Sequence, residues 1–267
     1  MITYKHLFTN PIGKFAPDGG FTSIFRTIGF IGDSLSSGEH ESLTNGERGY
    51  HDYYEYSWGQ YIGRKCGLTA YNFSRGGLTC MSFLNDYVPN VNDPFVEEKK
   101  CQAYVIALGV NDMSHIDGYK DGFGSMKDVD LNDESNNKES YVGYYVRIIQ
   151  KLRKLEPKCR IFVMVPPKEH PETKEKKEKR VMIQKFLNEL PNYFEFLYVL
   201  DLRKYAPTYS RKFGKKYFLG GHMSAAGYKF TGDMVATYID YYIRKFPQDF
   251  AQVGFIGRGI HNENAKW

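Results

Sequence analysis

Short apolar runs recur along the chain at 27–31, 68–73, 103–108, 160–165 and 196–201, rich in Ile, Val, Phe and Tyr. They lack the polar alternation of a half-exposed strand and read as strands of a parallel sheet covered on both faces. Segments with helical spacing lie between and after them, at 58–66, 81–87, 141–155, 174–190 and 225–246. This alternation predicts a doubly wound α/β sheet in a single domain that takes in the whole chain, 1–267. Its core spans about 24–246 and is followed by an extension at 247–267.

Three stretches break the pattern. Residues 39–56 are polar, rich in Gly, Glu and Tyr, and follow directly on the first strand, which makes them an insertion walling whatever lies at that strand's end. Residues 118–140 are polar and acidic and read as a long surface loop. Their Asp128, Asp130 and Asp133 lack the glycine and terminal glutamate of an EF-hand, so no metal is expected there. In 168–180 lysine and glutamate interleave, as on a solvated helix start. The extension carries Val253-Gly-Phe-Ile256, an apolar group that either folds back on the body or meets a second subunit in a homodimer.

Composition narrows the classes. A net charge of +5 is too small to argue for nucleic acid. No apolar run approaches the roughly 20 residues that cross a bilayer. The opening Met-Ile-Thr-Tyr-Lys-His lacks the layout of a signal peptide, so the expected location is cytoplasmic. Cys66, Cys80, Cys101 and Cys159 are scattered without metal spacing and are expected to be reduced and buried. No cofactor is called for. The 22 tyrosines suit either a sugar-binding surface or the edges of an α/β core.

Chemistry concentrates in four segments. The first strand runs into Gly32-Asp33-Ser34-Leu35, putting a serine hydroxyl at a strand's carboxyl end, where α/β proteins keep their sites. Tyr71-Asn-Phe-Ser-Arg-Gly-Gly77 follows the second strand, and its glycine offers an unobstructed N–H. Ala107-Leu-Gly-Val-Asn-Asp112 ends the third strand with the Asn111 amide. Gly220-Gly-His-Met-Ser-Ala-Ala-Gly-Tyr228 brings His222, a base, ahead of the last long helix.

In this order and at these separations the four segments resemble the SGNH (GDSL-type) hydrolase superfamily, over about residues 24–246. The resemblance implies a flavodoxin-like three-layer α/β/α sandwich with a central parallel five-stranded sheet in the order 2-1-3-4-5. It also implies a nucleophilic Ser34, a base His222, and an oxyanion hole made by the Ser34 N–H, the Gly77 N–H and the Asn111 amide. Gly77 is preferred to Gly76 for its distance from Asn72. In that strand order the ends of strands 1 and 3, carrying Ser34 and Asn111, flank the topological switch point. A base that takes the serine proton and fixed donors for the carbonyl oxygen are what acyl transfer needs.

One departure stands out. Where the superfamily places an aspartate three residues before the histidine, this chain has Leu219. A backbone carbonyl on the His222 ring, giving a Ser-His dyad, is the first expectation. The carboxylates of Glu39, Asp52, Glu55 and Asp201 are the alternatives. Asp33 and Asp112 are expected to fix backbone, His115 to be an exposed loop residue, Trp58 to pack behind an N-capping Ser57, and Arg75 to lie near the oxyanion hole.

The superfamily spans acetyl esterases, lipases and thioesterases, so fold does not decide substrate. The polar, tyrosine-rich 39–56 segment points to short-chain esters, foremost O-acetyl groups on carbohydrates, the partner being a small-molecule or oligosaccharide ester. A lysophospholipase or thioesterase of longer chains is the rival enzyme. A non-catalytic carbohydrate-binding protein on a hydrolase frame is the reading from another class.

Overall fold

A computed structural model describes residues 10–258. In chain order its strands are β1 (Thr27–Gly32), β2 (Glu39–Thr44), β3 (Glu47–Asp52), β4 (Thr69–Ser74), β5 (Ala103–Ala107) and β6 (Arg160–Val165). They continue with β7 (Glu169–His170), β8 (Leu197–Asp201), β9 (Tyr209–Ser210), β10 (Phe218–Leu219) and β11 (His222–Met223). Five of them form one all-parallel sheet, β4-β1-β5-β6-β8. Counted among themselves these are 2-1-3-4-5, the expected order. The central strands β1 and β5 are buried on both faces, hence their unbroken apolar runs.

Period-two alternation divides the sheet's side chains between two apolar cores. Along β6, Ile161, Val163 and Val165 pack under the helices Tyr141–Leu155 and Lys174–Glu189. Phe162 faces the other way, into the core closed by the helices Trp58–Cys66 and Ala225–Lys245. Gly29 is glycine because the Tyr104 ring of β5 lies across it: a Cβ there would come within 2.6 Å of that ring.

The helix expected at 81–87 is interrupted. Cys80–Ser82 gives way to a widened π-turn, Phe83–Tyr87, and then to Val88–Asn90. The widening lies just before Pro89, which has no N–H to donate and whose ring crowds a regular turn. The 39–56 insertion is a β-hairpin, β2 pairing antiparallel with β3 from Glu39↔Asp52 to Thr44↔Glu47. Its two-residue turn, Asn45-Gly46, has both φ angles positive, at 53° and 84°, the geometry for which Asn-Gly is favoured.

The extension folds back on the body. Val253 and Ile256 are buried, Gln102 donates to the Val253 carbonyl, and the Arg26 guanidinium donates to the carbonyls of Gly254 and Ile256. The apolar group that suggested a second subunit is therefore covered by its own chain, and 259–267 lie outside the described residues. All four cysteines are buried free thiols. Asp130 and Asp133 accept backbone N–H groups within their own loop, and Asp128 pairs with Lys138. Among the described residues no helix is long and apolar enough to cross a membrane.

Candidate active site

At the end of β1 the chain turns at once into the four-residue helix Ser34–Ser37. The turn is tight enough that a Cβ on Gly32 would run into the Ser36 side chain. Asp33 caps the helix, its carboxylate accepting the Leu35 N–H at 3.0 Å. Three further groups clamp the turn. Tyr228 donates its hydroxyl to the Ser34 carbonyl (3.1 Å) and the Glu39 carbonyl (2.6 Å). Trp58, behind its Ser57 N-cap, donates to the Leu35 carbonyl. Ser37 donates to Asp52 of the hairpin at 2.6 Å. The hydroxyl-bearing Ser34 thus sits half-buried on a fixed backbone.

The loops after β4 and β5 are tied together beside it. Asn111 donates its side-chain amide to the Leu78 carbonyl at 3.2 Å, next to Gly77. Gly77 has φ +77°, a left-handed conformation that leaves its backbone exposed and disfavours any residue with a Cβ. Asp112 is buried and accepts the Cys80 N–H and the Tyr119 hydroxyl, the loop-fixing role expected of it. Arg75 borders the same region, paired with Asp86 at 2.5 Å and set over the Tyr87 ring. His115 is exposed.

His222 lies on β11, where Leu219 pairs with it across the β10–β11 ribbon. Among the described residues no backbone carbonyl is hydrogen-bonded to its ring. The Nδ1 partner is the Glu41 carboxylate of β2, at 2.8 Å, a residue absent from the sequence alternatives. Of those, Glu39 lies 3.0 Å from the other ring nitrogen, Nε2. Asp52 accepts from Ser37, Glu55 pairs with Arg64 in solvent, and Asp201 caps the next helix and holds Gln184. Glu39 and Glu41 are two apart on one strand and so present their carboxylates on one face. His40, on the opposite face, is enclosed by the rings of Tyr53, Tyr56 and Tyr228.

The Leu-Gly-Gly-His sequence is explained by this arrangement. A Cβ on Gly220, whose φ is +70°, would run into the Glu41 carboxylate, and one on Gly221 would come within 2.9 Å of it. The Gly221 N–H also donates to Glu41 at 2.6 Å. The two glycines make room for a carboxylate delivered from the hairpin. Gly220-Gly221 ahead of the histidine, with Asn45-Gly46 marking a hairpin, were the signals by which Glu41 was findable.

Ser34, Gly76, Gly77, Asn111 and His222 line one open cavity of about 470 Å³, with Glu39, Tyr50, Asp52 and Arg75 on its far wall. A second depression of about 280 Å³ starts from Ser34, Asn111 and His222 and runs the other way, toward Pro166, Lys176 and Tyr209. The four residues singled out from sequence therefore converge on one place. Among the described residues no cluster of His, Cys, Asp and Glu is arranged to hold a metal ion.

The carboxylates differ in character. Burial acts to raise the Glu41 acid, but the hydrogen bonds from His222 and Gly221, with Arg48 nearby, outweigh it and hold the group below its usual range. Burial raises Glu39, and the charges of Asp52 and Glu41 add to it against the pull of His222. Burial pushes Asp33 up to about 7, with the neighbouring Asp112 adding to the rise. Asp112 is itself raised, mainly by burial. One oxygen of each of these two acids, Oδ2, has no hydrogen-bond partner.

The Asp33 shift carries a sign. The folded protein keeps this proton up to about pH 7, whereas the unfolded chain releases it near the ordinary carboxylate value of 3.8. Stability from this group is complete below the unfolded value and is lost as pH rises through the folded one, at up to about 1.4 kcal/mol per pH unit. Asp33→Asn keeps the helix cap and removes the titration. The variant is expected to show a flatter Tm between pH 4 and 7, and a higher Tm than the native protein at pH 8. Thermal melts across that range check it, and parallel pH profiles for the two proteins would contradict it.

A five-stranded parallel sheet with a serine at the end of its first strand, and glycine, asparagine and histidine gathered around it, defines an α/β acyl hydrolase scaffold. The chain belongs to the GDSL-like lipase/acylhydrolase family, whose sequence model matches residues 30–230. No curated protein sequence matches it significantly. Among solved structures it resembles a family two carbohydrate esterase from Clostridium thermocellum, in complex with cellohexaose. The TM-score is 0.58 at 18% identity, over 82% of this chain and 65% of that one. An active-site mutant of such an esterase from the same organism gives 0.55 at 19%, over 82% and 63%. The chain thus spans just under two thirds of these two proteins. The lipase Lip_vut3 from a goat rumen metagenome gives 0.53 at 17%, over 79% and 96%. At these identities the likeness is one of fold.

Proposed function

We propose that the chain is a single-domain serine esterase that removes short acyl groups, O-acetyl groups on carbohydrates foremost, with Ser34 as nucleophile and a Glu41–His222 pair as its base. The observation that carries this reading is the 2.8 Å contact from Glu41 to His222 Nδ1, in a cavity shared with Ser34, Gly77 and Asn111. A carboxylate on Nδ1 fixes the tautomer with Nε2 free to accept a proton and stabilises the imidazolium that follows. Ser34 Oγ attacks the ester carbonyl while its proton passes to Nε2. The oxyanion is held by the N–H groups of Ser34 and Gly77 and the Asn111 amide. The tetrahedral species collapses with the proton returned to the leaving alcohol, and water, activated by the same imidazole, hydrolyses the acyl-enzyme.

Glu39 takes a different part. Its carboxylate occupies the Nε2 side, the position from which the imidazole must reach Ser34, and so has to move off that nitrogen for each turnover. It marks a resting arrangement rather than a reacting one. The short-acyl preference rests on the site's open, polar walls: Tyr50, Tyr53, Tyr54 and Tyr56 of the insertion are about half exposed. Exposed tyrosines give stacking faces with a hydroxyl, which suits sugar rings better than alkyl chains. The carbohydrate esterases of like fold support this reading, and the similarity to a lipase supports the longer-chain alternative.

Hydrolysis of p-nitrophenyl esters from acetate to palmitate tests the assignment, with Ser34→Ala as control. The expected outcome is a rate maximal at acetate and absent from the variant. An optimum at long chains would replace the acetyl reading with the lipase one. Equal rates for both proteins, with glycan binding retained by Ser34→Ala, would favour a non-catalytic binding protein.

The two glutamates separate by role. Glu41→Gln is expected to lower kcat by about 10²–10⁴ with KM little changed, the loss seen when a triad's orienting carboxylate is removed. Glu39→Gln is expected to keep kcat within about tenfold of native, since the residue orients nothing in the reacting arrangement. Steady-state kinetics of the two variants on p-nitrophenyl acetate decide it, and the reverse ranking would make Glu39 the orienting group.

A further inference from the structure

The depression that starts at Ser34 and His222 does not end at Tyr209. Tyr209, Phe218, Glu169, Lys176 and Gly221 line it and also line a larger adjoining groove of about 710 Å³. That groove continues to Arg211, Gly214 and Lys215. Its floor is aromatic: Tyr209 stacks on Phe213 with ring centroids 4.2 Å apart and meets Phe218 edge-on at 5.8 Å. Its charge is one-sided. Glu169, the acid among its lining residues, is already taken up by Lys176 at 2.5 Å and by Arg180. Arg211 and Lys215 are exposed and have no acidic partner among the described residues. They lie on the helix Arg211–Tyr217, which also carries Lys212 and Lys216 and no acid.

The opposite side of Ser34 has the reverse polarity. There Glu39 and Asp52 stand on the wall, and the one cation, Arg75, is paired with Asp86. A substrate lying across the serine therefore meets carboxylates in one direction and unpaired cations in the other. The acidic side repels an anionic ring and the basic side attracts it, so charge alone fixes which way such a chain runs.

Resting on the esterase reading above, we propose that the ester's alcohol is an anionic glycan, whose carboxylate or phosphate, on a ring beyond the acetylated one, is held by Arg211 and Lys215. Arginine offers a planar fork that matches either oxyanion, and lysine a point charge beside it. The aromatic floor between them and Ser34 carries the intervening sugar ring.

The test compares three O-acetylated substrates: a neutral xylo-oligosaccharide, an oligogalacturonide and a phosphorylated malto-oligosaccharide whose phosphate lies on a ring other than the acetylated one. Native protein is set against the double reversal Arg211→Glu with Lys215→Glu. The expected result is a lower native KM for at least one of the two anionic substrates than for the neutral one. The reversal is expected to raise that KM about tenfold, as loss of two exposed ion contacts would, and to leave the neutral substrate and p-nitrophenyl acetate unaffected. Which anion responds tells carboxylate from phosphate. The native advantage is also expected to shrink in high salt. Equal KM values for all three substrates, or an anionic KM unmoved by the reversal, would overturn the proposal. Calorimetry of unacetylated oligogalacturonide and phosphorylated malto-oligosaccharide with Ser34→Ala protein, with and without the reversal, reads the site without turnover. Failure of the esterase reading would appear as p-nitrophenyl acetate left uncleaved while this binding persists, and failure of the present inference as the converse.

Discussion

The contact on which the site's architecture depends is the one between Glu41 and His222, because it fixes the imidazole ring with a residue from a distant part of the chain. His222 stands on a two-residue strand before the last long helix, and Glu41 on a hairpin inserted after the first strand of the sheet. A carboxylate delivered from so far away needs its approach cleared and its angle fixed. Gly220 and Gly221 clear it, since a side chain on either would meet the glutamate, and the Gly221 N–H fixes it with a second hydrogen bond. The hairpin is held in turn by Ser37 on Asp52 and by Tyr228 on the Glu39 carbonyl. His222, the Ser34 turn and the insertion are one hydrogen-bonded assembly, and the insertion is part of the site rather than decoration.

The sheet was legible in the sequence because its physics is local. A strand covered on both faces must be apolar throughout, so β1, β5 and β6 announce themselves, and the helices 58–66 and 141–155 carry caps and periodicity over their whole length. Ser34, Gly77, Asn111 and His222 were legible because each follows a strand or precedes a helix in a fixed order. What was not legible was a contact between residues 181 positions apart. Carboxylate composition alone does not pick out Glu41 from the insertion's acids; strand pairing does. Once Asn45-Gly46 is read as a hairpin turn, alternation puts Glu39 and Glu41 on one face. The interruption at Phe83–Tyr87 is set from outside the helical pattern, by Pro89 just past its end, whose ring reaches back into the preceding turn.

Beneath the serine the structure keeps a second pair of acids that the chemistry does not require to be charged. Asp33 and Asp112 are buried, each gives one oxygen to backbone groups that shape a loop, and each leaves the other oxygen without a partner. Burial raises both acids, and the charge of Asp112 adds to the rise of Asp33. Their value lies in geometry: Asp33 sets the turn that carries Ser34, and Asp112 ties the β5 loop to Cys80 beyond Gly77 and Leu78. Burial of Asp33 thus favours the fold less as pH rises toward about 7.

The two glutamates on the imidazole make the opposite use of charge. A carboxylate lies at each ring nitrogen of His222. In the reading proposed above Nε2 has to be free to accept the serine proton, so one of the two contacts gives way. Glu41 has the properties of the permanent one: it is more buried, accepts a second hydrogen bond from Gly221, and is held below its usual range by those bonds. Glu39 has those of the temporary one. It is raised by burial and by the neighbouring acids, it borders open cavity rather than packed chain, and its neutral form would no longer hold the imidazolium.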